Sequence, residues 1–446
     1  MAWKPVAATV ALLVTGAVLL VDTGAVPAAF PATIAAAHPM PTAAEVQMIP
    51  VEGEAERHWS RWRGPSGQGL VSGSGYVDTW SDTDNVLWKV AVPGRGNSSP
   101  IVWGNQIFLT TATDGGARVA LLAFDRNDGR QLWEAAPART SAERVHQKNG
   151  HASGTAATDG ERVYAYLGNH GLIATDMQGE IVWHRDFGQI HASHGTAGSV
   201  LLYGDRVIFY QDMQRGAQVG SFIAALDART GETVWWTDRK EDTGWGTPIA
   251  IRVDGHDEIV VSSQYMVYGY SASTGEELWN AGGNMFEVIP TPVVGHGLVF
   301  SSSGRAGPTL AIRPGGRGDV TDTHVAWSSP KGSPFVPSTL VYGENLYMIN
   351  DMASVLTVYR AASGEVLYQG RLGLAQRESF SASPVVFDGK VFLTNDGGET
   401  FVIAAGDEFK LLQVNDIGER TLASPALVDG RWYVRTEGHL LALGGD

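Results

Sequence analysis

The sequence contains no cysteine, and this absence excludes several kinds of chemistry at once. Disulfide bonds, thiolate metal sites, cysteine nucleophiles and iron–sulfur clusters all need that side chain. The lipid-modified cysteine that anchors bacterial lipoproteins is excluded as well. Any site or anchor in this chain must therefore be built from other residues.

The chain also has few charged residues, and few of them are positive. Charged side chains make up 18% of the 446 residues, with 32 lysines and arginines against 47 aspartates and glutamates, which gives a net charge of −15. That balance argues against a protein that binds nucleic acid or anionic lipid through bulk charge. Because 43% of the residues are hydrophobic, the chain can bury a large core and is not typical of a disordered protein.

Long apolar runs are confined to the N-terminus, where Lys4 precedes an apolar run over residues 5–21. Small residues follow at 26–28 and 35–37. The pattern predicts a secretory signal peptide in residues 1–37, cleaved after residue 28 or 37, with an uncleaved membrane anchor as the alternative. Both alternatives place the folded part outside the cytoplasm, in the periplasm or secreted. Residues 38–57 predict a linker, and residues 58–446 predict a single domain.

One repeat organises the rest of the chain. A Ser/Thr-Pro-like step, a short apolar run, a Gly-containing turn and a β-branched or aromatic strand recur at intervals of 41 to 56 residues. Two short strands joined by a turn form a hairpin, and the interval is that of one β-propeller blade. The Pro position of the eight copies is occupied by Pro100, Ala156, Val200, Pro248, Pro292, Thr339, Pro384 and Pro425.

A second phrase, A-x-D-x-x-T-G-x-x-x-W, supplies two further strands in most copies. Its clearest forms begin at Ala123 and Ala225. The Asp and Thr side chains can hydrogen-bond the turn backbone, and Gly supplies the positive φ that other residues resist. The tryptophans at the end of the phrase are predicted to dock one blade against the next. They are Trp88, Trp133, Trp183, Trp235, Trp279 and Trp327.

The two ends of the repeat array predict how it closes. The final copy starts at Pro425 and reaches Asp446 before a fourth strand can form, whereas residues 85–92 hold a strand-and-Trp phrase with no blade before it. We therefore expect an all-β fold, an eight-bladed β-propeller of four-stranded antiparallel blades. The N-terminal strand, at about residues 85–92, should join the C-terminal blade and close the ring.

The docking phrase resembles the tryptophan-docking motif of pyrroloquinoline-quinone (PQQ) repeat propellers, and the resemblance covers about residues 85–446. The segment W-S-R-W-R-G-P at Trp59–Pro65 also resembles the W-x-x-[WF]-R-G-P segment of the secreted bacterial branch of that family. The resemblance implies the propeller fold. It implies no single activity, because propellers host unrelated functions.

Two characterised branches of the family carry the motif. One comprises quinoprotein dehydrogenases, which hold PQQ and Ca²⁺ in the central funnel, with an Asp base and usually a vicinal disulfide. This chain has no cysteine, and no clear Glu, Asn and Asp set for Ca²⁺ stands out in the sequence. The other branch resembles the propeller lipoprotein of the outer-membrane β-barrel assembly machinery, a non-catalytic scaffold whose lipid anchor requires the absent cysteine.

From this resemblance we expect a non-catalytic binding or scaffold protein that acts through its central funnel, without cofactor, metal or catalytic residues. Its expected partner is an envelope protein or a small molecule, and the chain is expected to be a monomer that binds neither nucleic acid nor membrane beyond the signal segment. The alternative is a PQQ-dependent oxidoreductase of the alcohol or sugar dehydrogenase type, with PQQ and Ca²⁺ as cofactors.

The segments that lead into the innermost strands of a propeller gather at one mouth of its channel. We predict a ligand-binding site there, with a solvated funnel whose groups bond backbone and water as the alternative. The predicted site residues are Arg95, Asn97, His151, His194, Trp245, Glu287, Phe335, Phe380 and Arg420. No metal site is predicted from the histidines at 146, 151, 191 and 194, because zinc-binding pairs usually lie on a helix or include cysteine.

Overall fold

The computed structural model describes residues 33–34, 45–214, 216–217, 219–374 and 379–445. Within these residues the strands form eight sheets, each built around four antiparallel strands that follow one another in chain order except in the last blade. The predicted eight-bladed β-propeller is confirmed. The predicted signal peptide lies outside the described residues, apart from residues 33–34. Among the residues described, no helix is long and apolar enough to cross a membrane.

The first four blades take their strands, from the channel outward, in chain order. Blade 1 has Ile101–Trp103, Gln106–Thr113, Arg118–Asp125 and Gln131–Ala135. Blade 2 has Ala157–Thr158, Arg162–Tyr166, Leu172–Asp176 and Ile181–Arg185. Blade 3 has Leu201–Tyr203, Arg206–Gln211, Phe222–Asp227 and Thr233–Asp238. Blade 4 has Ile249–Val253, His256–Ser262, Met266–Ser271 and Glu277–Gly282.

The next three blades follow the same order, and blade 8 uses both ends of the described chain. Blade 5 has Val293–Gly295, Leu298–Ser302, Thr309–Ile312 and Val325–Ser329. Blade 6 has Leu340–Tyr342, Asn345–Asn350, Val355–Arg360 and Val366–Arg371. Blade 7 has Val385–Phe387, Lys390–Thr394, Glu399–Ala404 and Leu411–Asp416. Blade 8 has Ala426–Val428, Arg431–Arg435, His439–Leu443 and Val86–Ala91.

The ring closes in blade 8 as the sequence predicts. Val86–Ala91 pairs antiparallel with His439–Leu443, with Val90 opposite Leu440. The first strand of the repeat array thus becomes the outermost strand of the last blade. No sheet edge is left open between blade 8 and blade 1, which protects the ring from pairing with other chains.

A few short elements lie outside this repeating pattern. Thr33–Ile34 pairs with the outermost strand of blade 5, Val46–Met48 pairs with the innermost strand of blade 4, and Gly318–Asp319 runs parallel to the outermost strand of blade 4. Part of the predicted linker, residues 38–57, is therefore attached to the propeller, and the domain boundaries stay predictions. The short helices are Gly53–Arg57, Asp114–Gly116 and Gly168–His170, which are 3₁₀ turns, and Thr321–His324, which is α-helical.

The core lies between the blades. Middle strands pack against neighbouring blades on both faces, so their sequences are continuous apolar runs instead of alternating ones. In blade 1, Ile107, Phe108 and Leu109 are consecutive and fully buried, and so are Leu121 and Leu122 on the neighbouring strand.

Five of the predicted docking tryptophans make the same contact with the next blade. Each indole N–H donates to the backbone carbonyl that follows the third strand of that blade, at 2.9 to 3.3 Å. Four of these rings lie against the turn glycine of the second phrase; a Cβ at Gly231, for example, would come within 2.7 Å of Trp183. The five are Trp88, Trp133, Trp183, Trp235 and Trp327.

Trp279 differs from the other docking tryptophans. Its indole N–H donates to Oε2 of Glu258 within its own blade, at 2.7 Å, although the fully buried ring still packs in a cluster with residues of blade 5. The physical reason lies in blade 5, where residues 313–324 make a longer excursion in place of the tight turn that receives the indole elsewhere.

Candidate functional site

A closed ring of hydrogen bonds surrounds the central channel. One serine or threonine per blade, directly before the Pro position, accepts a bond at its hydroxyl from the backbone N–H of the same position in the preceding blade, at 2.8 to 3.2 Å. The last bond runs from Ser424 to Ser99 and completes the circle. We call these residues the hydroxyl ring: Ser99, Thr155, Ser199, Thr247, Thr291, Ser338, Ser383 and Ser424.

The side chains two positions before each ring hydroxyl in the sequence form a second ring around the channel. They face the channel too, because side chains two apart in extended backbone point the same way. Together the two rings form most of the wall of a cavity of about 240 Å³. Blades 3 to 6 contribute an apolar arc to this second ring, consisting of Ala197, Trp245, Ile289 and Val336. The remaining blades contribute Ser381, Leu422, Asn97 and Ser153.

The floor of the cavity is made by residues 46–71, which we call the plug segment. It bonds to the innermost strands of several blades beyond the hydroxyl ring, so it closes the channel at the end opposite the mouth. Trp62 of this segment lines the cavity, and Trp59 is 1% exposed. Its bonds reach Val102, Thr158, Ala250, Val294, Thr339 and Val386, in blades 1, 2, 4, 5, 6 and 7.

A charged and aromatic cluster lies at the mouth, above the apolar arc. Glu287 accepts hydrogen bonds from Nε2 of His194, at 3.3 Å, and from Nε of Arg305. Partial burial opposes ionisation of Glu287, but these bonds outweigh it and hold its pKa below the ordinary value. The His194 ring stacks on Trp245, with centroids 5.6 Å apart, and Trp245 is fixed by a bond from its indole N–H to the Gly195 carbonyl at 2.8 Å.

Two further carboxyl groups lie in the neighbouring blades 6 and 7. Nζ of Lys148 is 3.0 Å from Oδ2 of Asp396, and burial raises the pKa of Asp396 despite that contact. Asp351 is completely buried; its Oδ1 accepts the backbone N–H of Phe335 at 2.6 Å, and burial raises its pKa to about 7. Its Oδ2 has no hydrogen-bond partner among the described residues, which fits a protonated carboxyl group.

The structure brings most of the predicted site residues together. Asn97, His194, Trp245, Glu287 and Phe335 line the main cavity. Arg95 and Arg420 line a smaller pocket beside it, together with Asn97.

Two predicted site residues lie away from the cavity. Phe380 is 1% exposed and packs against Phe401 in the core between blades 6 and 7. Like Phe335 it stands three residues before a ring hydroxyl, but it packs in the core whereas Phe335 lines the cavity, so this position does not fix the direction of the side chain. His151 packs beside Gly116, and burial together with His170 lowers its pKa.

Several lining residues were not predicted as site residues. His146, Lys148 and Trp62 come from the loop before blade 2 and from the plug segment. Arg305 lies in the loop between the second and third strands of blade 5, where the repeat gives no signal. The wall itself could have been found from the sequence, since the position two residues before each ring hydroxyl lines the cavity in all eight blades.

The lining residues do not fit a Ca²⁺ ion held with PQQ. Calcium takes six or more oxygen ligands and usually several carboxylates. Among the described residues that line the main cavity, Glu287 is the one carboxylate, and it is already bonded to Arg305 and His194. Across the described part of the chain, no group of three or more His, Asp or Glu side chains is arranged to hold a metal ion.

Comparison with known proteins finds the same architecture. A family model described as outer membrane protein assembly factor BamB matches residues 66–148 and 118–368. The crystal structure of BamB from Moraxella catarrhalis has a TM-score of 0.58 at 12% identity, over 81% of this chain and 97% of that one. The comparison with curated protein sequences found no match.

Quinoprotein enzymes share the fold to a similar degree. Quinohemoprotein alcohol dehydrogenase ADHIIG from Pseudomonas putida HK5 has a TM-score of 0.60 at 12% identity, over 89% of this chain and 82% of that chain. The quinohemoprotein alcohol dehydrogenase from Comamonas testosteroni has a TM-score of 0.61 at 11% identity, over 87% and 81%. At these identities the likeness shows the fold alone.

The family match is broader than any local motif. It spans residues 66–368, more than half of the chain, and includes all five docking tryptophans that contact the next blade. The chain therefore belongs to the family of PQQ-like repeat propellers described as outer membrane protein assembly factor BamB.

Proposed function

We propose that this protein is a non-catalytic, extracytoplasmic binding protein that holds a small molecule, or a short segment of a partner protein, in its central cavity. The observation that carries the proposal is the closed floor beneath a polar and aromatic mouth. A channel crossed at one end by the plug segment forms a concave site that can hold a ligand. The extracytoplasmic location rests on the predicted signal peptide.

The size and rigidity of the cavity support binding. Its volume of about 240 Å³ lies near the lower end of ligand pockets, which suits a small ligand or a single protruding side chain. Trp245 is held by its bond to Gly195 and its stacking on His194. A side chain fixed before binding loses little conformational freedom when the ligand arrives.

The state of Glu287 favours binding over catalysis. A general base works best with a pKa near the working pH. Glu287 instead has a lowered pKa, and His194 and Arg305 occupy its two oxygens. The buried Asp351, whose pKa is raised, does not line the main cavity. The cluster thus resembles a fixed recognition surface for a polar group.

The test is capture from an envelope extract of the source organism with three immobilised proteins. The wild type should retain a specific molecule, detected by mass spectrometry, and Trp245→Ala should lose it because the apolar arc loses its largest surface. Tyr342→Ala is the control, since Tyr342 is an exposed aromatic at the far end of the innermost strand of blade 6. Equal retention by all three proteins, or no retention by the wild type, would contradict the proposal.

The quinoprotein alternative predicts a different result. Purified protein incubated with PQQ and Ca²⁺ would then retain the quinone after gel filtration, visible by its absorbance, and would oxidise alcohols or sugars. We expect neither retention nor turnover, because the lining residues supply too few oxygen ligands for the ion. Stoichiometric quinone with turnover would replace our proposal.

A further inference from the structure

A side pocket opens from the main cavity toward blades 8, 1 and 2. It shares Asn97, Lys148, Asn149 and Leu422 with the wall of the main cavity. Four cationic side chains line it, against one carboxylate, Glu437. Asp396 pairs with Lys148 from outside the pocket, so the excess of positive charge comes from the three arginines. The four cations are Arg95, Lys148, Arg420 and Arg435.

Arg435 is the innermost of these cations, with 2% of its surface exposed. Its Nη1 donates to Oγ of Ser98, at 2.6 Å, and to the carbonyl of Thr110, at 2.7 Å. Within the described residues, no carboxylate pairs with Arg435, and its Nε has no hydrogen-bond acceptor. A guanidinium buried without a counter-charge is costly, and burial lowers its pKa to about 9.

The backbone of Gly96 packs closely against Arg435, which a side chain at this position would prevent. A Cβ at Gly96 would come within 2.7 Å of Nη2 of Arg435. Gly96 and Arg435 both line the pocket, so the guanidinium group lies at the pocket wall beside the Gly96 backbone. The one buried arginine of the pocket is therefore within reach of a ligand.

The two outer arginines share one distant carboxylate. Oε1 of Glu437 is 3.6 Å from Nη2 of Arg95 and 3.7 Å from Nη1 of Arg420. Both separations exceed a good hydrogen bond, and a guanidinium group has several N–H donors to satisfy. Two planar guanidinium groups on one side of a cleft suit the paired oxygens of a carboxylate or phosphate.

The dimensions of the pocket limit what can enter. Its volume of about 20 Å³ has room for roughly one or two water-sized groups. That space suits the head of an oxyanion but not a ring. The apolar arc of blades 3 to 6 lies across the main cavity from this pocket, so one ligand could place a charged end here and an apolar part against Trp245.

We propose that the side pocket binds an oxyanion, the carboxylate or phosphate group of a ligand whose apolar part occupies the main cavity. The pocket as an anion site stands on its own residues. The placement of the apolar part rests on the proposed binding function.

The test uses acetate and phosphate as probes, titrated separately by calorimetry into the full chain at neutral pH and constant ionic strength, with chloride as the background anion. We expect saturable binding of at least one probe. Arg420→Gln should weaken it about tenfold, the value of one charge-assisted hydrogen bond, and Arg95→Gln/Arg420→Gln should abolish it. Both side chains are substantially exposed, so the variants should fold.

Arg118→Gln is the matched control, an equally exposed arginine in an ion pair on blade 1. It should bind the probes like the wild type. The tighter of the two probes identifies the ligand's acidic group. Absence of saturable binding, or unchanged affinity in the double variant, overturns the anion site.

Failure of this proposal is separable from failure of the proposed function. Trp245→Ala should leave acetate and phosphate binding unchanged, because its side chain lies outside the side pocket. If capture of the natural ligand depends on Trp245 but the probes do not bind, the binding function stands and the anion site falls. If the probes bind but nothing is captured, the anion site stands and the binding function falls.

Discussion

At the scale of single residues, two buried aspartates show how differently this fold treats the same side chain. Asp212 accepts two bonds from Arg239, at 2.8 and 3.3 Å, inside a cluster of tyrosines between blades 3 and 4. Asp351 accepts the backbone N–H of Phe335. Asp212 therefore lies against a guanidinium group, whereas Asp351 is buried without an ion-pair partner among the described residues, and burial raises its pKa and favours the neutral acid.

Asp351 should therefore make stability depend on pH. Its pKa of about 7 in the folded protein exceeds the ordinary 3.8, so between these values the unfolded chain loses a proton that the folded chain keeps. The contribution is present below about pH 4 and is lost as pH rises toward 7. Asp351→Asn cannot ionise, and relative to it the wild type should lose on the order of 2–4 kcal/mol over that window.

Urea unfolding of both proteins at several pH values from 4 to 8 measures this difference. Glu143, whose pKa burial also raises to about 7, is present in both proteins and cancels. A constant difference between wild type and Asp351→Asn across the window would show that Asp351 is charged in the folded state.

The residues of the site show what the sequence could and could not reveal. Asn97 and Trp245 were predictable because both stand two residues ahead of a ring hydroxyl, where extended backbone directs the side chain into the channel. Phe380 stands one residue further ahead and points into the core. Arg305 has no such relation to the repeat, and its place at the mouth depends on a loop whose path only the folded structure gives.

At the scale of elements, the hydroxyl ring links strands that belong to different blades. Each bond joins one blade to the next, so the innermost strands are tied to each other as well as to their own sheets. The repeat marks these positions in the sequence, as the Ser/Thr of the Ser/Thr-Pro-like step. That these residues bond to each other could not be predicted from the sequence, because the bonds form only when neighbouring blades are placed side by side in the ring.

Removing one hydroxyl should cost more than a surface mutation. In Ser424→Ala, the buried N–H of Ser383 loses its acceptor, which should lower the free energy of unfolding by about 1–3 kcal/mol. Ser424→Thr keeps a hydroxyl and should recover most of that loss, as three of the eight ring positions are already threonine. Thermal and urea unfolding measure both.

Ser74→Ala, at an exposed serine, serves as the control and should leave the unfolding midpoint unchanged. Equal stability of Ser424→Ala and the control would mean that water replaces the lost acceptor and that the ring bond contributes little.

The plug segment is the element that sequence reasoning placed least well. Trp59 of the W-S-R-W-R-G-P phrase is buried, and Trp62 lines the cavity. The closing of the channel was not predicted, because the segment has no periodicity of its own. Its partners lie as far away in sequence as Thr339, bonded by Arg63, and Val386, bonded by the backbone of Gly69.

At the scale of the whole molecule, closure of the ring rests on one strand pair, Val86–Ala91 with His439–Leu443. The sequence predicted this pair because the last repeat copy has only three strands, whereas residues 85–92 hold one strand that precedes the first blade. The same reasoning gave the number of blades. The sequence could not predict the shape of the cavity, because that shape depends on how eight segments of different sequence come together at the mouth.

Deletion of residues 85–92 should open the ring. The edge of His439–Leu443 would lose its partner, and Trp88 would no longer dock on blade 1. We expect a broad unfolding transition and rapid proteolysis in blade 8, measured by calorimetry and limited digestion.

A chain that lacks residues 1–32 is the matched deletion, since it leaves blade 8 intact. It should unfold as sharply as the full chain. A ring-opening deletion that stays equally cooperative and protease-resistant would show that the remaining blades close without this strand.

The strand pair of blade 8 also decides when the protein can finish folding. Ribosomes make Val86–Ala91 and the plug segment early, but the strand that pairs with Val86–Ala91, and the blade 5, 6 and 7 residues that hold the plug, emerge hundreds of residues later. Before that, Val86–Ala91 has no strand to pair with, and the wall of the channel is incomplete. The cavity can therefore form only once the last blade is available to the first strand, and not when any single blade folds.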